Sequence, residues 1–328
     1  MYTNRQPIGT SRYLNSNLHR QELNCMNTSR DRSKFIALLQ ALLVTVLWST
    51  SWVLIKFGLQ DIPPLTFAAL RYGLAFLVLL IVQLRRYPGQ LRSLTRRDWV
   101  TLLVLGLVGY AVAQGAQFVG LNYLTAIMLS FMLTITALIT AFLGILFLGE
   151  HLNWLQWLGV GVFIIGVVLY FFPLELPQGI GIGLAIGAVN VLANCFASII
   201  GRSINRQAHI PPLTVTVVSM GVGSITLLMI GLTTEPFPAL SLANWANIVW
   251  MALMNTALAF TLWNNTLRTL TAAESSVINN TMLVQIAILA WLFLGEQPSS
   301  RQWIGMLVAT IGVVMVNLPG KAQKRKTV

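Results

Sequence analysis

The stretch IPPLT occupies residues 62–66 and returns at residues 210–214, which is 148 positions later (210 minus 62). In both copies the paired prolines precede an apolar run. Proline suits the first turn of a helix because an N–H there has no partner within the helix. Each copy therefore predicts a helix start. Whether the copies share an origin depends on the sequence around them.

Other motifs return at nearly the same distance. LFLGE at residues 146–150 occurs again at 292–296, and LTA at 124–126 occurs again 146 positions later (270 minus 124). Self-similarity at a fixed period indicates a structural repeat, here of about half the chain. The alternative is an old duplication that serves packing alone.

The composition indicates that the repeats lie in a membrane. Of 328 residues, 56% are hydrophobic and 9% are charged, whereas a soluble domain has about 25% charged residues. Apolar runs long enough to cross a hydrocarbon core of about 30 Å recur along the chain. We expect ten transmembrane helices, at residues 35–59, 65–84, 99–121, 123–148, 154–172, 178–201, 213–232, 245–266, 273–294 and 303–318.

Five helices per repeat is an odd number, so the second repeat enters the membrane from the opposite side. The predicted fold is an all-α integral membrane protein with two inverted five-helix repeats, at residues 35–173 and 178–319. Residues 1–34 are expected to form a disordered N-terminal tail, and residues 320–328 a basic C-terminal tail.

The orientation follows from the basic residues, because Lys and Arg near span ends resist translocation. With the N-terminus inside, 18 of the 21 Lys and Arg residues lie in cytoplasmic tails and loops (6, 5, 2, 1 and 4 in chain order). The sequence thus predicts a multi-pass protein of the cell (inner) membrane with both termini cytoplasmic. This topology explains the net charge of +12 better than nucleic acid binding does.

Two stretches resemble a known family. WSTSWVLIKFGLQDIPPLTFAALRYGLAFLVLL (48–80) is similar to the opening helix pair of the EamA-like family of the drug/metabolite transporter superfamily, and NTALAFTLWNNTLRTLTAAESSVI (255–278) to its eighth and ninth helices. The resemblance covers residues 35–318. It implies ten helices in inverted repeats, cytoplasmic termini and secondary transport, most often export of small metabolites or amino acids. Two prolines common in the family are absent, at Ala137 and Leu283.

Two basic residues lie inside predicted spans, where charge is costly and usually faces a cavity, a partner or the interface. The first, Lys56, shares a helical face with Trp48 and Trp52 at spacings of four. That face could hold an aromatic or anionic ligand. Alternatively, Lys56 reaches the outer headgroups and Trp52 serves packing.

The second basic residue, Arg71, lies seven residues beyond Pro64, about 10 Å along the helix. Its fork of donors suits a carboxylate or a phosphate, although it could also bind carbonyl groups of a neighbouring helix. The repeat-equivalent residue is Ser219 (71 plus 148). Because Arg71 breaks the internal symmetry, it is a candidate for substrate choice.

Uncharged polar residues form stripes on three spans and are expected to point away from lipid. They are Tyr110, Gln114 and Gln117 in the third span, Asn190 and Asn194 in the sixth, and Thr281 and Gln285 in the ninth. Such stripes either line a wet cavity or bridge helices. Close helix contacts, with a homodimer face as the alternative, are predicted by the glycines Gly159, Gly166, Gly305 and Gly312.

The acidic residues near span ends have structural explanations. Glu274 follows Thr271 at the spacing of a capping box, which makes it a poor proton carrier. Glu150 and Glu296 end the repeated LGE motifs at span ends, so a structural role is expected for both.

The sequence lacks the parts of an enzyme or of an ATP-driven pump. No predicted span contains a histidine, and there is no Ser–His arrangement, metal cluster or phosphate-binding Gly-rich Lys motif. No cofactor is expected. We expect a secondary carrier in the lipid bilayer that alternates access and exports a small-molecule substrate. An uptake permease or a passive channel is the alternative.

Overall fold

The structure is a computed structural model of the chain, and it describes residues 10–148, 153–172, 180–207, 209–266, 269–270 and 272–317. The first nine residues and the predicted C-terminal tail at 320–328 lie outside the described residues. Within the described part, every regular element is a helix.

Ten helices follow one another along the described ranges. They are α1 (Thr10–Gly58), α2 (Pro64–Arg86), α3 (Arg96–Tyr123), α4 (Ala126–Leu148), α5 (Trp154–Phe171), α6 (Ile180–Gln207), α7 (Pro212–Thr234), α8 (242–266), α9 (Ala272–Leu294) and α10 (Ser300–Asn317). Two of them contain a wider π-helical segment, at Leu107–Val112 in α3 and at Leu253–Leu258 in α8.

Eight of the described helices are long and apolar enough to cross a membrane, and the apolar parts of α4 and α10 are shorter, at Ala126–Ile139 and Ser300–Val316. The protein is therefore a multi-pass membrane protein. The ten-span inverted topology remains a prediction that this helix order fits.

The first helix is longer than the span predicted at residues 35–59. Helix α1 begins at Thr10, within the segment predicted as an N-terminal tail, and continues without interruption to Gly58. No proline and no other glycine occurs in this stretch. Because these two residues are the usual helix breakers, nothing in the sequence stops the helix from extending before the apolar run.

The two IPPLT copies start helices as predicted. Pro63 caps α2, which begins at Pro64, and Pro211 caps α7, which begins at Pro212. Neither proline cap provides a side-chain hydrogen bond. At α2 the carboxylate of Glu235 caps the helix instead, since its oxygens accept hydrogen bonds from the N–H groups of Leu65 (2.9 Å) and Thr66 (2.8 Å). A carboxylate at a helix N-terminus is favoured by the helix dipole.

Glu296 has the same role at α4. Its carboxylate accepts hydrogen bonds from the N–H groups of Ala126 (2.7 Å) and Ile127 (3.0 Å). The structural role predicted for this LGE glutamate is therefore confirmed. Glu150, which ends the other LGE motif, lies outside the described residues.

Helices α5 and α10 cross with their backbones in contact. A Cβ added to Gly159 would lie 2.9 Å from the Gly312 carbonyl oxygen, and one added to Gly166 would lie 2.7 Å from that of Gly305. Only glycine permits so close an approach. The predicted close helix contacts are confirmed, and these glycines are used within one chain.

The two halves interlock rather than lie side by side. Helix α2 of the first half packs along α7 of the second, α1 packs against α8 and α9, and α6 packs against α3 and α4. A side chain that points inward from either half therefore meets residues of the other half.

Candidate functional site

Arg71 lies in the interior where α1, α2 and α8 meet. It is 5% exposed. Its Nε donates a hydrogen bond to the hydroxyl of Thr256 (3.1 Å), and its Nη2 approaches the hydroxyl of Ser51 at 3.4 Å. Both acceptors are neutral.

The π-helical segment of α8 provides the other polar groups. Thr256 donates its hydroxyl hydrogen to the carbonyl of Met251 (2.9 Å), five residues back, whereas threonine in a regular α-helix bonds three or four residues back. The neighbouring Asn255 donates through Nδ2 to the hydroxyls of Ser51 (2.9 Å) and Thr50 (3.0 Å) and to the Leu47 carbonyl. This widened turn therefore directs two consecutive polar side chains into the bundle.

The cluster formed by Arg71, Ser51, Asn255 and Thr256, called here the Arg71 cluster, has an unbalanced charge. Among the described residues, no carboxylate lies within ion-pair distance of Arg71. Burying a cation without a counter-charge is costly. An arrangement of this kind can bind the carboxylate or phosphate of a ligand through the guanidinium donors.

Tyr72 connects this cluster to the polar stripe of α3. Its ring centroid lies 5.1 Å from the Arg71 guanidinium carbon and 5.7 Å from the ring of Tyr110, and its hydroxyl donates to the side-chain carbonyl of Gln114. Gln117 makes no hydrogen bond within the described ranges. Two of the three residues of the predicted stripe are thus in contact with Tyr72.

The two predicted tryptophans have different neighbours. Trp52 is buried and lines a cavity of about 170 Å³. The other lining residues come from α4 and α9 and are Ser130, Leu133, Thr134, Asn279, Asn280, Met282, Leu283 and Ile286. Trp48 instead stacks on α8, with its ring 5.6 Å from Phe260 and 5.3 Å from Trp263. The structure therefore separates residues that the sequence places on one ligand-binding face.

Lys56, the third member of that face, is half-buried near the end of α1. It has no hydrogen bond or ion pair within the part of the chain that the structure describes. Glu296 is close enough for the two charges to interact, although its carboxylate is occupied by the α4 N-terminus. Lys56 is thus a second cation near the interior, separate from the Arg71 cluster.

The amides of α6 and α9 bridge helices. Asn190 is fully buried and donates to the Ala113 carbonyl of α3 (2.7 Å), while Asn194 donates back to Asn190 (2.9 Å). Gln285 donates to Thr281 (3.0 Å) and accepts a hydrogen bond from Ser49 of α1 (3.0 Å). The sequence leaves open whether these residues line a cavity or bridge helices. In this structure Asn190 and Gln285 bridge helices, whereas Asn194 and Thr281 bond within their own helices.

Glu274 forms an ion pair with Lys34 at 2.6 Å. The capping box predicted for it requires Thr271, which lies outside the described residues. The ion pair of Glu274 with Lys34 thus joins the N-terminal end of α9 to α1.

Sequence reasoning misses three members of the Arg71 cluster, namely Ser51, Asn255 and Thr256. Asn255 and Thr256 are adjacent polar residues in an apolar span, which is a usable signal. A helical period of 3.6, however, places consecutive residues about 100° apart, so only one of them would be assigned to the interior. A π-helical segment breaks that period.

A larger groove of about 490 Å³ lies between α3, α6 and α7. Its lining is apolar apart from Thr226, so it offers no group to orient a polar ligand. The described residues also contain no cluster of three or more metal-ligating side chains. The Arg71 cluster and the Trp52 cavity, to which α1 contributes the consecutive residues Ser51 and Trp52, are therefore the candidate sites.

Comparisons with known proteins agree with this architecture. "Uncharacterized transporter YvbV" of Bacillus subtilis (strain 168) is 29% identical over 306 residues, covering 88% of this chain and 93% of the relative. "Probable amino-acid metabolite efflux pump" of Escherichia coli (strain K12) is 24% identical over 287 residues, covering 83% and 92%. A crystal structure of a protein 18% identical to this chain superposes with a TM-score of 0.63, covering 85% of this chain and 96% of its own, which shows a shared fold.

The family model of the EamA-like transporter family matches residues 35–172 and again residues 180–318. The two matches coincide with the halves that the repeated motifs define, and together they cover most of the chain. This protein is a member of the EamA-like transporter family.

Proposed function

We propose that this transporter is a secondary carrier that exports small organic solutes bearing a carboxylate or another anionic group. The observation that carries the proposal is Arg71, a buried guanidinium whose described partners are all neutral. A ligand anion would supply the counter-charge that the cluster lacks.

The position of the cluster supports alternating access. Arg71 and Ser51 belong to the first repeat, and Asn255 and Thr256 to the second. A rocking motion of one repeat against the other would therefore change the surroundings of the guanidinium and of any bound anion. The proposed substrates are amino acids and related solutes, whose carboxylate is the group that Arg71 would bind.

The other predicted site residues complete the proposed pocket. Lys56 is a second cation for an anionic group, and Trp48, Trp52 and Tyr110 shape the apolar part. When the bundle opens, the polar side chains of α3, α6 and α9 would line the path, namely Gln114, Gln117, Asn190, Asn194, Thr281 and Gln285. In the open conformation these side chains would form hydrogen bonds with the ligand in place of hydrogen bonds within the bundle.

The proposed direction is export across the cell (inner) membrane, with both termini cytoplasmic. The cytoplasmic termini are supported by the positions of the basic residues, and the direction of transport by the efflux pump named among the relatives. The alternatives are an uptake permease and a passive channel. Saturable, gradient-dependent flux distinguishes a carrier from a channel, and no chemical conversion of the substrate is proposed.

The test compares extracellular metabolites of cells that produce the wild-type protein, Arg71→Ala or no transporter. We expect an amino acid or related anion to accumulate outside with the wild type, and at least tenfold less with Arg71→Ala, because a buried charge pair contributes about 2–5 kcal/mol. Arg301→Ala is the matched control, since Arg301 is exposed at the start of α10. Media that do not differ among the three strains, at equal membrane levels, would contradict export.

A further inference from the structure

Asn255 carries a buried hydrogen-bond acceptor that has no partner. The residue is 0% exposed. Its Nδ2 faces the Leu47 carbonyl, which can only accept, so the amide orientation is fixed by chemistry. The side-chain oxygen Oδ1 then points the other way and has no hydrogen bond. A buried acceptor without a donor is unfavourable by about 1–3 kcal/mol, and a ligand that donates to it would remove this cost.

This acceptor belongs to the same cluster as the unbalanced cation. The hydroxyl of Ser51 lies 2.9 Å from Nδ2 of Asn255 and 3.4 Å from Nη2 of Arg71. The guanidinium and Nδ2 therefore flank the Ser51 hydroxyl, and the free acceptor Oδ1 is bonded to the same amide carbon as Nδ2. One small molecule could reach both groups if it carried an anion and a hydrogen-bond donor on neighbouring atoms.

An α-amino acid has this arrangement, with the ammonium on the carbon next to the carboxylate. We infer that Asn255 determines specificity, so that the carrier prefers α-amino acids to the same acids without the amino group. The inference rests on the proposed function, because Arg71 must bind the carboxylate. In this arrangement the carboxylate accepts from Arg71, and the ammonium donates to Asn255 Oδ1.

The molecule contains a control for this role. Asn247, two turns earlier on α8, also donates to a carbonyl of α1 (Leu54, 3.0 Å) and also has a buried Oδ1 without a partner. It shares no hydroxyl with Arg71. Asn247 therefore has the same bridging role between the same two helices without a hydroxyl shared with Arg71.

The internal repeat shows that only the second half has an amide at this position, the group proposed to select amino acids. Residue 109 corresponds to Asn255 (255 minus 146) and is a glycine. The first repeat thus has no amide at this position, and its π-helical segment cannot provide the same acceptor.

The experiment titrates the purified full-length protein in detergent and follows ligand-induced shifts of the unfolding temperature. The probes are the twenty common amino acids, each paired with its deaminated carboxylic acid where that exists. For the best-bound pair, the wild type should bind the amino acid 10- to 100-fold more tightly, as about 1.5–3 kcal/mol for a charged hydrogen bond implies. Asn255→Leu should reduce this preference to about threefold or less and still bind the deaminated acid. Asn247→Leu should keep it.

The outcomes separate this inference from the proposed function. If the wild type binds both acids of a pair equally, or if Asn255→Leu keeps the preference, the role of Asn255 is excluded while anion binding stands. If no acid shifts the wild type and no solute is exported, both fail. Should Asn255→Leu not fold, Asn255→Asp serves, because its carboxylate would pair with Arg71 and weaken both acids at least tenfold. Unchanged binding to that variant would also overturn the inference.

Discussion

The two π-helical segments of this transporter correspond residue by residue, since Leu107–Val112 and Leu253–Leu258 are 146 positions apart (253 minus 107). Both backbones are π-helical at this position, but their side chains differ. The first segment reads LVGYAV and the second LMNTAL. The comparison shows that both halves share the π-helical backbone, whereas only the second segment contributes side chains to the Arg71 cluster.

The helices that face the two segments differ in the same way. Opposite the first segment, Gly223 of α7 faces Tyr110, and a Cβ on Gly223 would lie 2.8 Å from the Gly106 carbonyl and overlap the Tyr110 side chain. The repeat-equivalent of Gly223 is Ala75 of α2 (223 minus 148). The first segment is therefore held by close backbone approach, and the second by hydrogen bonds with the Arg71 cluster.

The largest expected effect comes from placing opposite the first segment the residue type that the repeat places at the equivalent position of α2. Gly223→Ala introduces the overlap described above, so we expect a loss of about 3 kcal/mol in the free energy of unfolding. The reverse change at the equivalent position, Ala75→Gly, should lose only about 1 kcal/mol. Thermal unfolding of both purified variants measures the difference. Equal unfolding temperatures would show that the two segments are packed alike.

A smaller effect is expected from removing the hydroxyl of the second segment. Thr256→Val leaves the Arg71 Nε–H without its acceptor in a buried site, which should destabilise the protein by about 2 kcal/mol. Thr261→Val is the control, because Thr261 bonds only to the Ala257 carbonyl of its own helix. Chemical unfolding in detergent compares the two. If the control loses as much stability, the bond to Arg71 contributes nothing.

The smallest effect should come from replacing Asn190 of α6, whose side-chain amide donates a hydrogen bond next to the end of the first segment. Asn190 donates to the carbonyl of Ala113, the first residue after that segment, and its repeat-equivalent is Val44 (190 minus 146). Asn190→Val should therefore cost about 1 kcal/mol, measured as the shift in unfolding temperature. A shift larger than that of Thr256→Val would reverse the order of importance proposed here.

The sequence predicts the helices well because membrane spans are long apolar runs with marked ends. The second span is expected at residues 65–84 and forms Pro64–Arg86, and the ninth is expected at 273–294 and forms Ala272–Leu294. The repeated glycines also predict close helix contacts at α5 and α10, although not that these two helices contact each other. These features depend on composition and on local helix-start chemistry, which a single sequence contains.

The site is less predictable because its members come together only in the folded bundle. Arg71 is identifiable as a buried charge that breaks the repeat, but its contacts with Ser51 and Thr256 join residues 20 and 185 positions apart. The π-helical segments are not visible to a period-based method. The length of α1 is missed for another reason, since polar composition alone does not prevent a helix.

The crossing of α5 and α10 has a consequence for movement. Gly159 meets Gly312, and Gly166 meets Gly305, and the repeat offset of 146 converts one pair into the other, because 159 corresponds to 305 and 166 to 312. In the proposed inverted topology such a contact is isologous, and the pseudo-twofold axis would pass between the two pairs. Points on such an axis keep their place when the two halves exchange conformations. In a carrier of the proposed type, the four glycines would lie nearest the centre of the motion, and the Arg71 cluster, which is formed by α1, α2 and α8, would lie away from it.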